Sequence, residues 1–74
     1  MIFTPKTELE LYSIYERAKK IKVCTKENEI IIGSVQGFTS AINNEPSIPE
    51  IDIKLENGNF SGIYLDEINT IELL

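Results

Sequence analysis

A chain of 74 residues has room for one domain and buries only about 60–65% of its unfolded surface. Its core is therefore modest, and association with other chains is a natural way to add buried area. Hydrophobic residues make up 42%, which excludes a disordered tract, while twelve acidic against seven basic residues leave a net charge of −5 that on average repels a polyphosphate chain. Cys24 is the only cysteine, so no intrachain disulfide forms, which fits a reducing cytoplasm. No signal-peptide pattern and no apolar run of about 20 residues is present, so neither secretion nor a membrane span is expected.

In chain order, Thr4 to Lys20 reads as one N-terminal helix, within residues 1–20. Pro5 suits the first helical position with Thr4 as cap, and Thr7 with Glu10 offers a competing capping box one turn later. Glu8 and Glu10 near the start and Arg17, Lys19 and Lys20 near the end suit the helix dipole. Leu11, Ile14, Ala18 and Ile21 form an apolar stripe, widened by Leu9, Tyr12 and Tyr15. From Ile21 the period changes to two, giving a first strand through Cys24 and then a polar turn, Lys26–Glu29. Ile30 to Ala41 is long for one strand and carries Gly33 and Gly37, where a bulge or bend is expected. Asn43 to Pro49 is a loop, Glu50 to Glu56 alternates cleanly, and Asn57-Gly58 predicts a two-residue type I′ hairpin into Phe60–Leu65. Asp66-Glu67 marks a short turn before a last strand containing Ile68, Ile71 and Leu73. The expected fold is mainly β: residues 1–74 as a single domain, with a helix and then, over 21–74, a five-stranded, strongly bent antiparallel small β-barrel.

That layout, with a glycine-containing second strand and a short last one, resembles the Sm-like (LSm) family. Gly33, Val35, Ile42 and Asn43 fall at framework places of its first motif, with Thr39 at the family's aspartate position and Phe38 before it. Ile63-Tyr64-Leu65-Asp66-Glu67-Ile68 corresponds to the second motif, with Tyr64 in place of its arginine and Leu65 in place of its glycine. A looser group of small Sm-like proteins from low-GC Gram-positive bacteria and their mobile elements is also similar. It shares the Gly37-Phe38-Thr39-Ser40 turn, the acidic Pro-containing loop and Asp66-Glu67-Ile68 followed by Ile71-Glu72. In the family, the arginine and two first-motif residues help to hold a uridine base, and of these only Asn43 is kept. The resemblance also implies association edge to edge through the fourth and fifth barrel strands.

Without histidine, the commonest general base and neutral metal ligand are missing. Cys24 lies near Lys22 and Lys26 but reads as a small strand residue. Asp66 and Glu67, and the acidic stretch with Glu45, Glu50 and Asp52, read as turn and solvated loop ahead of any divalent-cation site. No phosphate-cradling glycine pattern exists. No catalytic residue, metal or cofactor is therefore assigned, and an enzyme is disfavoured. Two functional expectations remain. One is a non-catalytic binding and oligomerisation module, self-associating as a ring or smaller oligomer or binding another protein, whose edge includes Phe60, Ile63, Ile71 and Leu73. The other is a single-stranded RNA binder using Asn43, Tyr64, Phe38, Lys20 and Lys22.

Overall fold

Thr7, not Thr4, opens the helix. In the computed structural model, which describes all 74 residues, Ile2–Phe3 form a short strand (β1) and the helix (α1) spans Glu8–Arg17. Of the two caps competing in the sequence, the reciprocal one prevails. The Glu10 N–H donates to Thr7 Oγ1 (3.2 Å), and the Thr7 N–H donates back to Glu10 Oε1 (3.1 Å). The Lys6 N–H adds a third bond to the same carboxylate at 2.8 Å, and these backbone donors hold the Glu10 carboxyl below its ordinary value. The helix expected over Thr4–Lys20 is thus shorter at both ends. At its C-terminus Ala18 is already extended, with its N–H donating to the Ile14 carbonyl at 2.9 Å. The alternation of Lys20, Ile21, Lys22 and Val23 claims the following residues for a strand.

The remaining strands are β2 (Lys20–Thr25), β3 (Ile30–Thr39), β4 (Glu50–Leu55), β5 (Phe60–Tyr64) and β6 (Ile68–Leu73). They form one antiparallel sheet in the order β1-β6-β2-β3-β4-β5. Two features of the expected fold are corrected here. The sheet has six strands rather than five, because Ile2–Phe3 join it, and it is not closed into a barrel, since β5 and β1 are its two ends. Short 3-10 turns, Ala41–Asn43 and Leu65–Glu67, follow β3 and β5.

The glycine-bearing strand bends as its composition predicts. Its register with β4 shifts between Val35, opposite Ile53, and Gly37, opposite Asp52. The extra residue, Gln36, resets the alternation. Val35 and Phe38 therefore both face the core although they are three positions apart. Gly33 has no room for a side chain beside β4: a Cβ there would collide with Ile53 Cγ2 and the Lys54 carbonyl oxygen.

Two hairpins have the same construction. Asn28 N–H donates to the Thr25 carbonyl and Gly58 N–H to the Leu55 carbonyl, at 2.9 and 3.0 Å. Asn28 (φ 66°) and Gly58 (φ 89°) are the two residues with positive φ. Asn57 is therefore not in the left-handed region. The expected two-residue type I′ turn is instead a three-residue loop, Glu56-Asn57-Gly58, closed by Leu55 N–H to the Asn59 carbonyl at 2.8 Å. Inward residues from α1, β2, β4, β5 and β6 meet in one core, Leu11, Ile14, Ile21, Val23, Ile51, Ile53, Ile63, Ile68 and Ile71, against which Ile31, Val35 and Phe38 of β3 pack partly buried. The helix lays Leu11 and Ile14 on the concave side of the bent sheet, while Leu9 and Tyr12 stay exposed.

Candidate functional site

The residues expected to meet RNA lie apart. Phe38 belongs to the inward row Phe38–Ile51–Ile63, whereas Tyr64 belongs to the outward row Thr39–Glu50–Tyr64 one position along, so the two aromatics occupy opposite faces of the sheet. Phe38 packs on Tyr12 and Tyr15, with ring centroids 5.2 and 5.8 Å away. Tyr64 is half-buried at the end of β5, and its N–H donates to Glu67 Oε1 at 2.9 Å. Asn43 is exposed at the end of its 3-10 turn, with its side-chain amide on Ser40 Oγ at 3.1 Å. Lys20 and Lys22 lie on β2, separated from β5 by two strands, and Lys22 has Ile32 and Glu72 as its cross-strand neighbours.

The residues expected at an association edge divide differently. Ile63 and Ile71 are core residues at 2% and 0% exposure, so they support the edge from inside. Leu73 is half-buried beside Ile21, and its N–H donates to the Met1 carbonyl at 3.2 Å. Phe60 alone is an open apolar side chain, at 66% exposure. The outer edge of β6 is taken at Ile71 and Glu72 by Phe3 and Ile2 of β1, a strand that the helix-like reading of residues 1–20 concealed.

The outer edge of β5 has no partner strand. Its hydrogen-bonding phase follows from its two ends, Leu55 N–H to the Asn59 carbonyl and Leu65 N–H to the Pro49 carbonyl. Antiparallel alternation then points Ser61 and Ile63 main-chain groups at β4 and those of Phe60, Gly62 and Tyr64 outward. Glu67 occupies the Tyr64 N–H, which leaves Phe60 and Gly62 as the open stretch.

Glu50 and Asp52, expected to belong to a solvated acidic loop, instead stand on β4 as a carboxyl pair on the same end of the sheet. Glu50 and Asp52 project from the outward side of β4, and Asp52 lies between Gly37 on β3 and Gly62 on β5. The glycines make the room. A Cβ at Gly62 would strike Glu50 Oε2, and one at Gly37 would stand 3.3 Å from Asp52 Oδ2. Asn44 Nδ2 donates to Glu50 Oε1 at 3.0 Å and fixes that side chain. Asp52 is pushed up to about 6, first by loss of solvent, then by a hydrogen bond with Glu50 and by its charge. The pair was legible only as alternation, because its closeness depends on two glycines distant in sequence. No group of three or more acidic, cysteine or histidine side chains converges as a metal site. No helix is long and apolar enough to cross a membrane. Comparison with protein-family models, with curated proteins and with solved structures finds no match.

Proposed function

We propose that this protein is a non-catalytic binding module that self-associates through the outer edge of β5. The observation that carries this reading is the unpartnered stretch at Phe60 and Gly62, which has free main-chain groups and an exposed phenylalanine. Such an edge pairs with another strand when one is supplied. The other end of the sheet is only the two-residue β1. The Sm-like resemblance supports this reading in element order alone: a helix, then β2 to β6, with a bulge between Val35 and Gly37, in a sheet that has a sixth strand and stays open. It differs at the last strand, whose outer edge is covered by β1, so β5 rather than β6 supplies the contact here. The absence of histidine supports binding over catalysis.

Phe60→Lys places a charge on the open edge without touching the core. Sedimentation velocity should then show the assembled wild-type species converted to one of lower mass, with the thermal midpoint of the protomer retained. An unchanged sedimentation profile in Phe60→Lys would count against β5 as the contact. The RNA reading has no single surface behind it, since its five residues are divided between two faces of the sheet and among three strands and a 3-10 turn. Titration with uridine-rich RNA at low salt is accordingly expected to give no saturable binding, and a salt-dependent isotherm weakened by Asn43→Ala would reverse that choice.

A further inference from the structure

The face of α1 away from β1 carries a groove of about 450 Å³ lined by Glu8, Leu9, Tyr12, Phe38 and Ser40. Tyr12 meets Phe38 edge to face, at 68° between ring planes, and Tyr15 closes the cluster from behind at 5.8 Å from both rings. Leu9 and Tyr12 remain 77% and 39% exposed, so the aromatic ledge is available to another molecule. Glu8 is anchored rather than loose: its Oε1 accepts the Ala41 N–H at 2.9 Å, a bond spanning 33 positions of sequence. This bond holds the carboxylate at the mouth of the groove and leaves Oε2 without a hydrogen-bond partner in the chain.

We propose that this groove binds a cationic side chain, an arginine or lysine presented by a basic peptide segment of another protein. Aromatic faces attract cations through the ring quadrupole, and an adjacent carboxylate supplies the opposite charge. No basic residue of this chain lines the groove. Arg17, the one basic residue of α1, is committed elsewhere, its guanidinium 5.1 Å from the Phe3 ring centre. Glu16 adds to the negative field beside Tyr12 and raises the tyrosine's phenol above its ordinary value. The groove between α1 and β1, of about 470 Å³, makes the contrast: it is lined by both Glu10 and Arg17, so its charge is already balanced within the chain. The net charge of −5 draws a basic partner toward the molecule, and the aromatic ledge gives it one place to rest.

The test is a titration of the ¹⁵N-labelled protein with the capped peptide Gly-Arg-Gly-Arg-Gly at low ionic strength, followed by amide and aromatic chemical shifts. Shifts centred on Glu8, Tyr12 and Phe38 are expected. Tyr12→Leu, which keeps an apolar side chain but removes the ring, and Glu8→Gln should each weaken binding about threefold to fivefold. Glu56→Gln, which removes the same charge at a distant hairpin, should leave it unchanged. The proposal is overturned by absence of binding, by shifts spread over the acidic surface, or by equal weakening in Glu56→Gln and Glu8→Gln. It is also overturned if the same shifts grow with protein concentration alone, which would make a second copy the occupant. Should Tyr12→Leu fail to fold, the wild-type shift map and the comparison of the two glutamate variants still decide between these results.

Discussion

Gly58 and Asn28 hold equivalent places in the two hairpins, and the residues are not equally suited to them. Both are left-handed, at φ 89° and 66°. A Cβ at Gly58 would meet nothing within 4 Å, so Gly58→Ala should cost only the backbone penalty, about 1–2 kcal/mol in urea denaturation. Asn28→Gly should do the reverse and stabilise by up to about 1 kcal/mol. The Glu50–Asp52 pair makes a pH prediction of definite sign. Asp52 binds its proton more tightly in the folded state, at about 6 against an ordinary 3.8, so stability should rise as pH falls from above 6 toward 4.5. Glu10 acts in the opposite sense. Its carboxyl is held below the ordinary 4.5, and the stability it contributes is lost as pH falls below that value. Thermal midpoints measured from pH 7.5 down to 4.5 should therefore climb, and Asp52→Asn should flatten that climb. With the solvent screening of this half-exposed pair allowed for, Asp52→Asn should also stabilise at neutral pH by up to about 1 kcal/mol.

At the scale of elements, the helix is set by its first turn. The Thr7–Glu10 box satisfies donors at the start of α1, and Thr7→Ala should lower stability by about 1 kcal/mol, read from the urea midpoint. Strand positions were legible because alternation is a local signal: Glu50–Leu55 needs nothing beyond its own residues to be read. The same holds for the bend, since a strand bearing Gly33 and Gly37 announces an irregularity without fixing its place. The bulge falls at Gln36, and an extra residue between Val35 and Phe38 is what lets both face the core. The element missed was β1, for a physical reason. Two residues, Ile2 and Phe3, have no period, and their extended form depends on β6, some 70 positions away. The start of the helix was misjudged for a related reason: Pro5 is a good first helical residue, but here it is buried on the approach to Thr7.

For the whole molecule, the bent sheet and its single helix enclose nine buried aliphatic residues, and much of what lies outside that core is edge or ledge. The candidate site was only partly legible. Of the residues expected at an association edge, Phe60 is exposed while Ile63 and Ile71 face inward, since a sequence shows which residues are apolar and not which strand lies beside them. The aromatic ledge of Tyr12 and Phe38 joins a helix to a strand, and the Glu8–Ala41 bond beside it is equally non-local. The central claim is self-association through β5, and absolute mass by light scattering after gel filtration, over a range of loading concentrations, tests it most directly. Self-association predicts a species of at least twice 8.4 kDa, in whole multiples of it; a single species of 8.4 kDa at every concentration would contradict it.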